Sequence, residues 1–215
     1  MSTRLRPQHV TTGPLPYLHY APQTPGRPAP LVLFLHGAGE RGEDLKRVTT
    51  HGLPRELSAG DPLPEAAHVL APQCPAESWW PFELHHLSAL VEDALARLPV
   101  DPARVYLTGI SMGGYGAWAL ATKHPERFAA LAPVCSGGTP LLASRLTDLP
   151  IWAFHGAEDE VVPLEESERM VRAVNAAGGH AKLTVYPDVT HDAWTRTYRD
   201  PAFYAWLFAQ RRQDR

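Results

Sequence analysis

The sequence predicts an α/β fold, a mostly parallel sheet with helices on both faces. Three observations predict it. Short apolar runs such as Leu31–Leu35 alternate with stretches of helical periodicity such as Phe82–Leu98, and consecutive parallel strands need a helical crossover to join them. The run Leu31-Val32-Leu33-Phe34-Leu35 shows no polar alternation, as expected of a strand covered on both sides. The third is Gly109-Ile110-Ser111-Met112-Gly113, set between apolar Val105-Tyr106-Leu107 and helix-like Gly116–Ala121. That reads as strand, sharp turn and helix, with a serine at the apex.

The elements follow in order. Segments around His9-Val10 and Tyr17–Tyr20 read as an antiparallel edge hairpin. Ala21–Pro30 is Pro-rich but short enough to connect two strands, and Pro22, Pro25, Pro28, Pro30, Pro62 and Pro64 stiffen such connections. After the strand Leu31–Leu35 come strands at His68–Ala71, Val105–Thr108, Ala130–Val134, Ile151–Phe154 and Lys182–Tyr186. Between them, Phe82–Leu98 places Leu87, Leu90, Val91, Ala94 and Leu98 on one helical stripe. Gly114–His124, Leu164–Ala177 (Met170, Val171, Val174) and Asp200–Gln210 (Phe203, Trp206, Leu207) read as further helices. No internal repeat or long linker divides the chain, so residues 1–215 are assigned to one domain.

Composition narrows the function. A net charge of −3 gives no electrostatic reason to expect nucleic acid or an anionic membrane as partner. No apolar run approaches the roughly 20 residues needed to span a bilayer, and Met1–Tyr20 lacks the apolar centre of a secretory leader. A cytoplasmic protein is expected. Cys74 and Cys135 are the two cysteines and read as buried thiols. No Cys/His spacing resembles a metal site, and no cofactor motif is present. Nothing in the sequence specifies an oligomeric state.

Ser111 is a weak nucleophile unless a base takes its proton and a carboxylate steadies that base. Asp159 lies just past the strand end Phe154, where its side chain can face the carboxyl edge of the sheet. It competes with Glu158, Glu160 and Asp188, which read as solvated loop charges. His191 follows the strand that ends at Tyr186 and is the expected base. His36 and His155 each end a strand before glycine and read as structural, with rings bonded to loop backbone. His51, His68, His85, His86, His124 and His180 read as surface residues. The Gly-rich run His36–Gly42 can present an amide to a developing oxyanion; Ala38 is the chosen donor, with Gly39 the alternative and Met112 the second donor. The spacing does not match a phosphate-binding loop, and no Gly-Lys-Ser/Thr follows. Glu40 and Arg41 are read as a structural salt bridge in preference to substrate contacts. Trp79 and Trp80, after a strand end, and Trp194, near His191, are candidate pocket residues together with Gly39; Trp118 and Trp206 are assigned to the core.

These segments resemble the α/β-hydrolase superfamily. Within it, His36–Gly42, Gly109–Gly116, His155-Gly156 with Asp159 and Val162-Pro163, and His191–Trp194 are similar to small carboxylesterases related to dienelactone hydrolases and feruloyl-type esterases. The resemblance covers roughly residues 30–210. It implies a Ser–Asp–His triad, cofactor-free hydrolysis of a small-molecule ester, and short acyl groups. No long insertion precedes Ile151, where many lipases of the superfamily carry a lid. A peptidase or acyl-thioesterase using the same triad, and a non-catalytic binding module on the same fold, are the alternatives.

Overall fold

The computed structural model describes residues 6–22 and 27–212. Its strands are β1 (Gln8–Val10), β2 (Tyr17–Tyr20), β3 (Ala29–Leu35), β4 (His68–Pro72), β5 (Val100–Ile110), β6 (Ala130–Val134), β7 (Ile151–Gly156) and β8 (Ala181–Tyr186). Its helices are α1 (Gly52–Ala59), α2 (Leu84–Arg97), α3 (Met112–Lys123), α4 (Glu165–Ala176), α5 (Ala193–Thr197) and α6 (Pro201–Ala209). The strands form one sheet in the order β1-β2-β4-β3-β5-β6-β7-β8. β2 runs antiparallel to both its neighbours, and the pairings from β4 through β8 are parallel.

The continuous apolar runs are explained by the two faces of this sheet. Side chains alternate along a strand, so Leu31, Leu33 and Leu35 enter one core with Leu87, Leu90 and Val91 of α2, Trp118 of α3 and Met170 of α4. Val32 and Phe34 enter the other, with Leu53 and Leu57 of α1 and Phe203 and Leu207 of α6. Each of the five β3 residues from Leu31 to Leu35 is fully buried, so truncating any of these leucines to alanine costs about 2–5 kcal/mol.

Several elements depart from the sequence expectation. β5 is longer than Val105–Thr108, because Asp101–Arg104 continues the strand despite its polar residues. Pro30 lies inside β3 where pairing with β5 shifts register, a position suited to a residue with no N–H to donate. Pro25 and the rest of residues 23–26 lie outside the described residues. α1 was not anticipated. Its Pro54 is tolerated in the first turn, and Gly60 closes it in the left-handed region at φ 105°. The hairpin forms as expected, but only β1 is an edge; β2 is wholly buried between β1 and β4.

His68 is a correction. It is buried, not on the surface, and its Nδ1 lies 2.9 Å from Nε2 of buried His19. Burial, with His68 alongside, pushes His19 down to about 4. Burial also lowers His68. The unfolded chain therefore binds more protons than the folded one between about pH 6.5 and pH 4, and stability falls as pH falls through that window. The unfolding midpoint should drop on acidification from pH 7 to pH 4.5. The double replacement His19→Leu/His68→Leu should flatten part of that drop. Thermal melts across the range check this; equal slopes in both proteins would exclude the pair as a source.

Candidate active site

The site is built at the carboxyl edge of the sheet, where ligands bind in open α/β sheets. β5 ends at Ile110 and α3 starts at Met112, leaving Ser111 alone at the turn with φ 51° and ψ −120°. A non-glycine residue held at positive φ stores about 1–3 kcal/mol of strain. The strain is held from both sides. The Ser111 amide donates to the Val134 carbonyl at 2.9 Å, and α3 is packed hard against the sheet. A Cβ on Gly113 would lie 2.0 Å from the Leu35 carbonyl oxygen, and one on Gly109 would lie 2.4 Å from the Gly113 oxygen. Both glycines are required by close backbone approach.

Two loops bring partners to the serine. His191 follows β8, and its Nε2 lies 2.9 Å from Ser111 Oγ. Its Nδ1 lies 2.7 Å from Asp159 Oδ2, in the loop after β7. A carboxylate only accepts, so Nδ1 carries the hydrogen and Nε2 is left to accept from the serine hydroxyl. Asp159 is fixed in turn: Oδ1 accepts from the Val161 and Val162 amides, each at 2.9 Å. Its side chain is fully buried, whereas His191 keeps about a fifth of its side chain exposed. The three residues expected from sequence are thus hydrogen-bonded in series.

The Gly-rich loop lies beside them. Ala38 opens a short 3-10 turn (Ala38–Glu40), and Met112 opens α3. First-turn amides have no acceptor within their own helix, and Ala38 and Met112 each occupy such a position. Arg41 Nε donates to the Ala38 carbonyl at 3.1 Å, and Arg47 donates to the Gly39 carbonyl at 2.7 Å. Arg41 also reaches the Ser78 carbonyl at 3.2 Å and lies 5.5 Å over the Trp79 ring. It braces two loops through backbone carbonyls, so the expected Glu40–Arg41 salt bridge is replaced. Glu40 is buried, with its carboxylate oxygens 3.9 Å from His36 Nδ1 and from His51 Nε2. Burial pushes the Glu40 pKa up, against the pull of His51.

His36 and His155 each bond a loop carbonyl, as read from sequence. His36 Nδ1 donates to the Gly37 carbonyl at 2.6 Å and Nε2 accepts from the Cys74 amide at 3.0 Å. Burial pushes His36 down to about 4. His155 Nε2 lies 2.8 Å from the Val162 carbonyl.

The candidate pocket residues divide. Gly39 has open space where a Cβ would stand. Trp79 is 44% exposed. Trp80 is a correction: it is fully buried, and its Nε1 donates to the His36 carbonyl at 2.9 Å, so it supports the loop from within the core. Trp194 is buried edge-on against the His191 ring at 5.2 Å, with the His51 ring 5.5 Å on its other side. Trp118 is fully buried as expected, and Trp206 is half-buried.

Sequence reasoning missed Phe82, His51 and Cys135. Phe82 is 76% exposed on the turn after Trp79. The aromatic cluster Trp79-Trp80-Pro81-Phe82 was its signal. His51 precedes α1, a helix that sequence did not reveal, and makes no side-chain capping bond to it. Cys135 follows β6 at φ 42°, and its Sγ, an Asp159 oxygen and a His191 nitrogen lie within 4.8 Å of one another. Burial raises the Cys135 thiol well above its ordinary value. A protonated thiol beside a carboxylate and imidazole already bonded to each other does not suit a metal ion. Both cysteines are free and buried.

A serine on a strand–turn–helix apex, at the carboxyl edge of a mostly parallel sheet, defines a hydrolase of the α/β-hydrolase fold. Residues 76–206 match the dienelactone hydrolase family, and the chain belongs to it. A relative from Escherichia coli (strain K12) named "Putative carboxymethylenebutenolidase" is 29% identical over 89% of this chain and 76% of its own length. A solved thermostable esterase is 32% identical with a TM-score of 0.81, covering 97% of this chain and 64% of that one. Pyrococcus horikoshii acylaminoacyl peptidase shares the fold at 16% identity and a TM-score of 0.74, over 99% of this chain and 43% of its own. The chain thus spans under two thirds of either solved neighbour.

The packing at the turn gives a direct test. Gly113→Ala must move backbone on two elements, at a cost of about 3 kcal/mol. For a chain of this size that lowers the melting temperature by roughly 6–12 °C. A melting temperature within about 2 °C of wild type would mean that α3 does not depend on this contact.

Proposed function

We propose that the chain is a single-domain serine carboxylesterase acting on small esters with short acyl groups. The observation that carries this reading is the unbroken hydrogen-bond series Ser111–His191–Asp159. Ser111 Oγ attacks the ester carbonyl while His191 Nε2 takes its proton. Asp159 holds the ring in the required tautomer and stabilises the imidazolium. The tetrahedral oxyanion is held by the Ala38 and Met112 amides, each such donor contributing about 10²–10³-fold. The alcohol leaves with the proton from His191, and an acyl-enzyme remains. Water, deprotonated by His191, then attacks the acyl-enzyme and releases the acid, returning the proton to Ser111.

The preference for small esters is supported by what surrounds the serine. Between β6 and β7 the described chain holds a short 3-10 turn, Pro140–Leu146, and no cap. Trp79 and Phe82 are exposed, and nothing crowds the Cβ position of Gly39 in the Gly-rich loop. No helix among the described residues is long and apolar enough to cross a membrane.

Hydrolysis of short p-nitrophenyl esters tests the reading. Ser111→Ala should lower kcat by about 10³-fold or more, since a triad residue acts as part of one unit. A fluorophosphonate should label wild type at Ser111. Equal rates in wild type and Ser111→Ala would defeat the assignment. Faster cleavage of matched amides or thioesters would redirect it to a peptidase or thioesterase, and failure to label the folded protein would favour a binding module.

A further inference from the structure

One fully buried titratable group touches this hydrogen-bond series and takes no part in the steps above. His155, in β7, has its Nε2 2.8 Å from the Val162 carbonyl and 3.2 Å from Asp159 Oδ2. Both partners are acceptors, so Nε2 carries a hydrogen; it is bonded to the Val162 carbonyl, and Asp159 Oδ2 lies beside it in close electrostatic contact. The same Oδ2 receives His191 Nδ1 at 2.7 Å. Oδ1 already receives the two amides of Val161 and Val162. Three N–H groups therefore donate to this carboxylate, and the His155 N–H is a fourth polar group in contact with it. The far side of the His155 ring is pinned as well. Nδ1 lies 2.7 Å from Ser167 Oγ on α4, and that hydroxyl lies 2.8 Å from the Ser136 carbonyl.

We infer that His155 is a positioning residue for Asp159, and that by holding its N–H dipole against Oδ2 it sets how tightly His191 holds a proton. The inference rests on the catalytic reading given above. A polar N–H held 3.2 Å from Oδ2 draws on the charge of the carboxylate and leaves less of it to act on His191. With the His155 donor removed, Asp159 interacts more strongly with His191. The imidazolium is then favoured, and the base stays protonated to higher pH. Asp159 also loses a restraint on its orientation, so the base is less well aimed. The other titratable groups facing this carboxylate are Cys135 after β6 and Tyr115 on α3. Glu166 on α4 faces Tyr115, and Asp192 acts on Cys135. All of them remain in the variants below, so a change in the profile reports on His155.

The experiment compares wild type, His155→Phe and His155→Gln in p-nitrophenyl acetate hydrolysis across pH 5–9, about the range in which histidine titrates. In His155→Phe the acid limb of kcat/KM should move up by about half a unit, and kcat should fall roughly 10-fold with KM nearly unchanged, as for an interaction made mainly in the transition state. His155→Gln, which keeps an N–H donor, should restore part of the limb. A folded His155→Phe with the wild-type limb and kcat overturns the proposal. A second measurement needs neither turnover nor a His155 variant. Long-range ¹H–¹⁵N correlation spectra of wild type should show His155 Nε2 protonated, and Asp159→Asn should shift that signal. A bare Nε2, or a signal indifferent to Asp159→Asn, overturns the proposal even if His155→Phe fails to fold. Absence of Ser111-dependent turnover in wild type instead overturns the esterase reading, and with it the claim on His191, while the spectra still decide the His155–Asp159 contact.

Discussion

The contact on which the rest depends is the approach of Gly113 to the Leu35 carbonyl. It brings the first turn of α3 onto the ends of β3 and β5 with no side chain between them. Two consequences follow from that one approach. The turn at Ser111 is forced into a positive φ, which lifts the hydroxyl off the sheet edge. The first amide of α3 and the Gly-rich loop after β3 are also brought beside the same point, because Leu35 ends β3 and His36 begins the loop. A larger residue at position 113 would separate the serine from both of these elements. Strain at Ser111 is tolerated because backbone hydrogen bonds to β6 and packing of α3 over-determine it.

Around that turn the site is organised by donors that find acceptors, one shell at a time. The Asp159 carboxylate is held by two amides and the His191 imidazole, with the His155 ring against it, so its orientation has little freedom. The Gly-rich loop is held from outside by two arginines on successive carbonyls, and from inside by Trp80 and the buried Glu40. Holding the Ala38 and Gly39 carbonyls outward fixes the peptide planes of the loop. In a low-dielectric edge, such fixed dipoles act without reorganising, and that is the main electrostatic resource of a site of this kind.

Much of this was legible in the amino-acid order. The β3 run without polar alternation announced a strand buried on both faces, and the helix α2 carried a clear stripe. The flanking glycines, the serine and the loop positions of Asp159 and His191 were all readable. The elements that were not readable have physical reasons. α1 is short and carries a proline in its first turn, and Asp101–Arg104 of β5 is polar where it leaves the core. Trp79 and Trp80 are adjacent and chemically identical, yet one is half exposed and the other fully buried. Only the rotation of the short turn that carries them decides which enters the core. His68 likewise looked like a surface residue until β2 was placed against β4, bringing His19 to it.

What the sequence determined by itself was the periodicity of the elements, the glycines that permit a close strand–helix crossing, and the chemical types of the residues after each strand. These are local properties, set by φ/ψ preference and side-chain alternation. What only the tertiary structure decided was which distant groups meet: His191 with Ser111 and Asp159, His155 on the same carboxylate, Arg41 and Arg47 on the Gly-rich loop, and His51 against Trp194. Those meetings span from 3 to 143 residues of chain, and they are fixed by strand order and by burial, neither of which is written in any one segment.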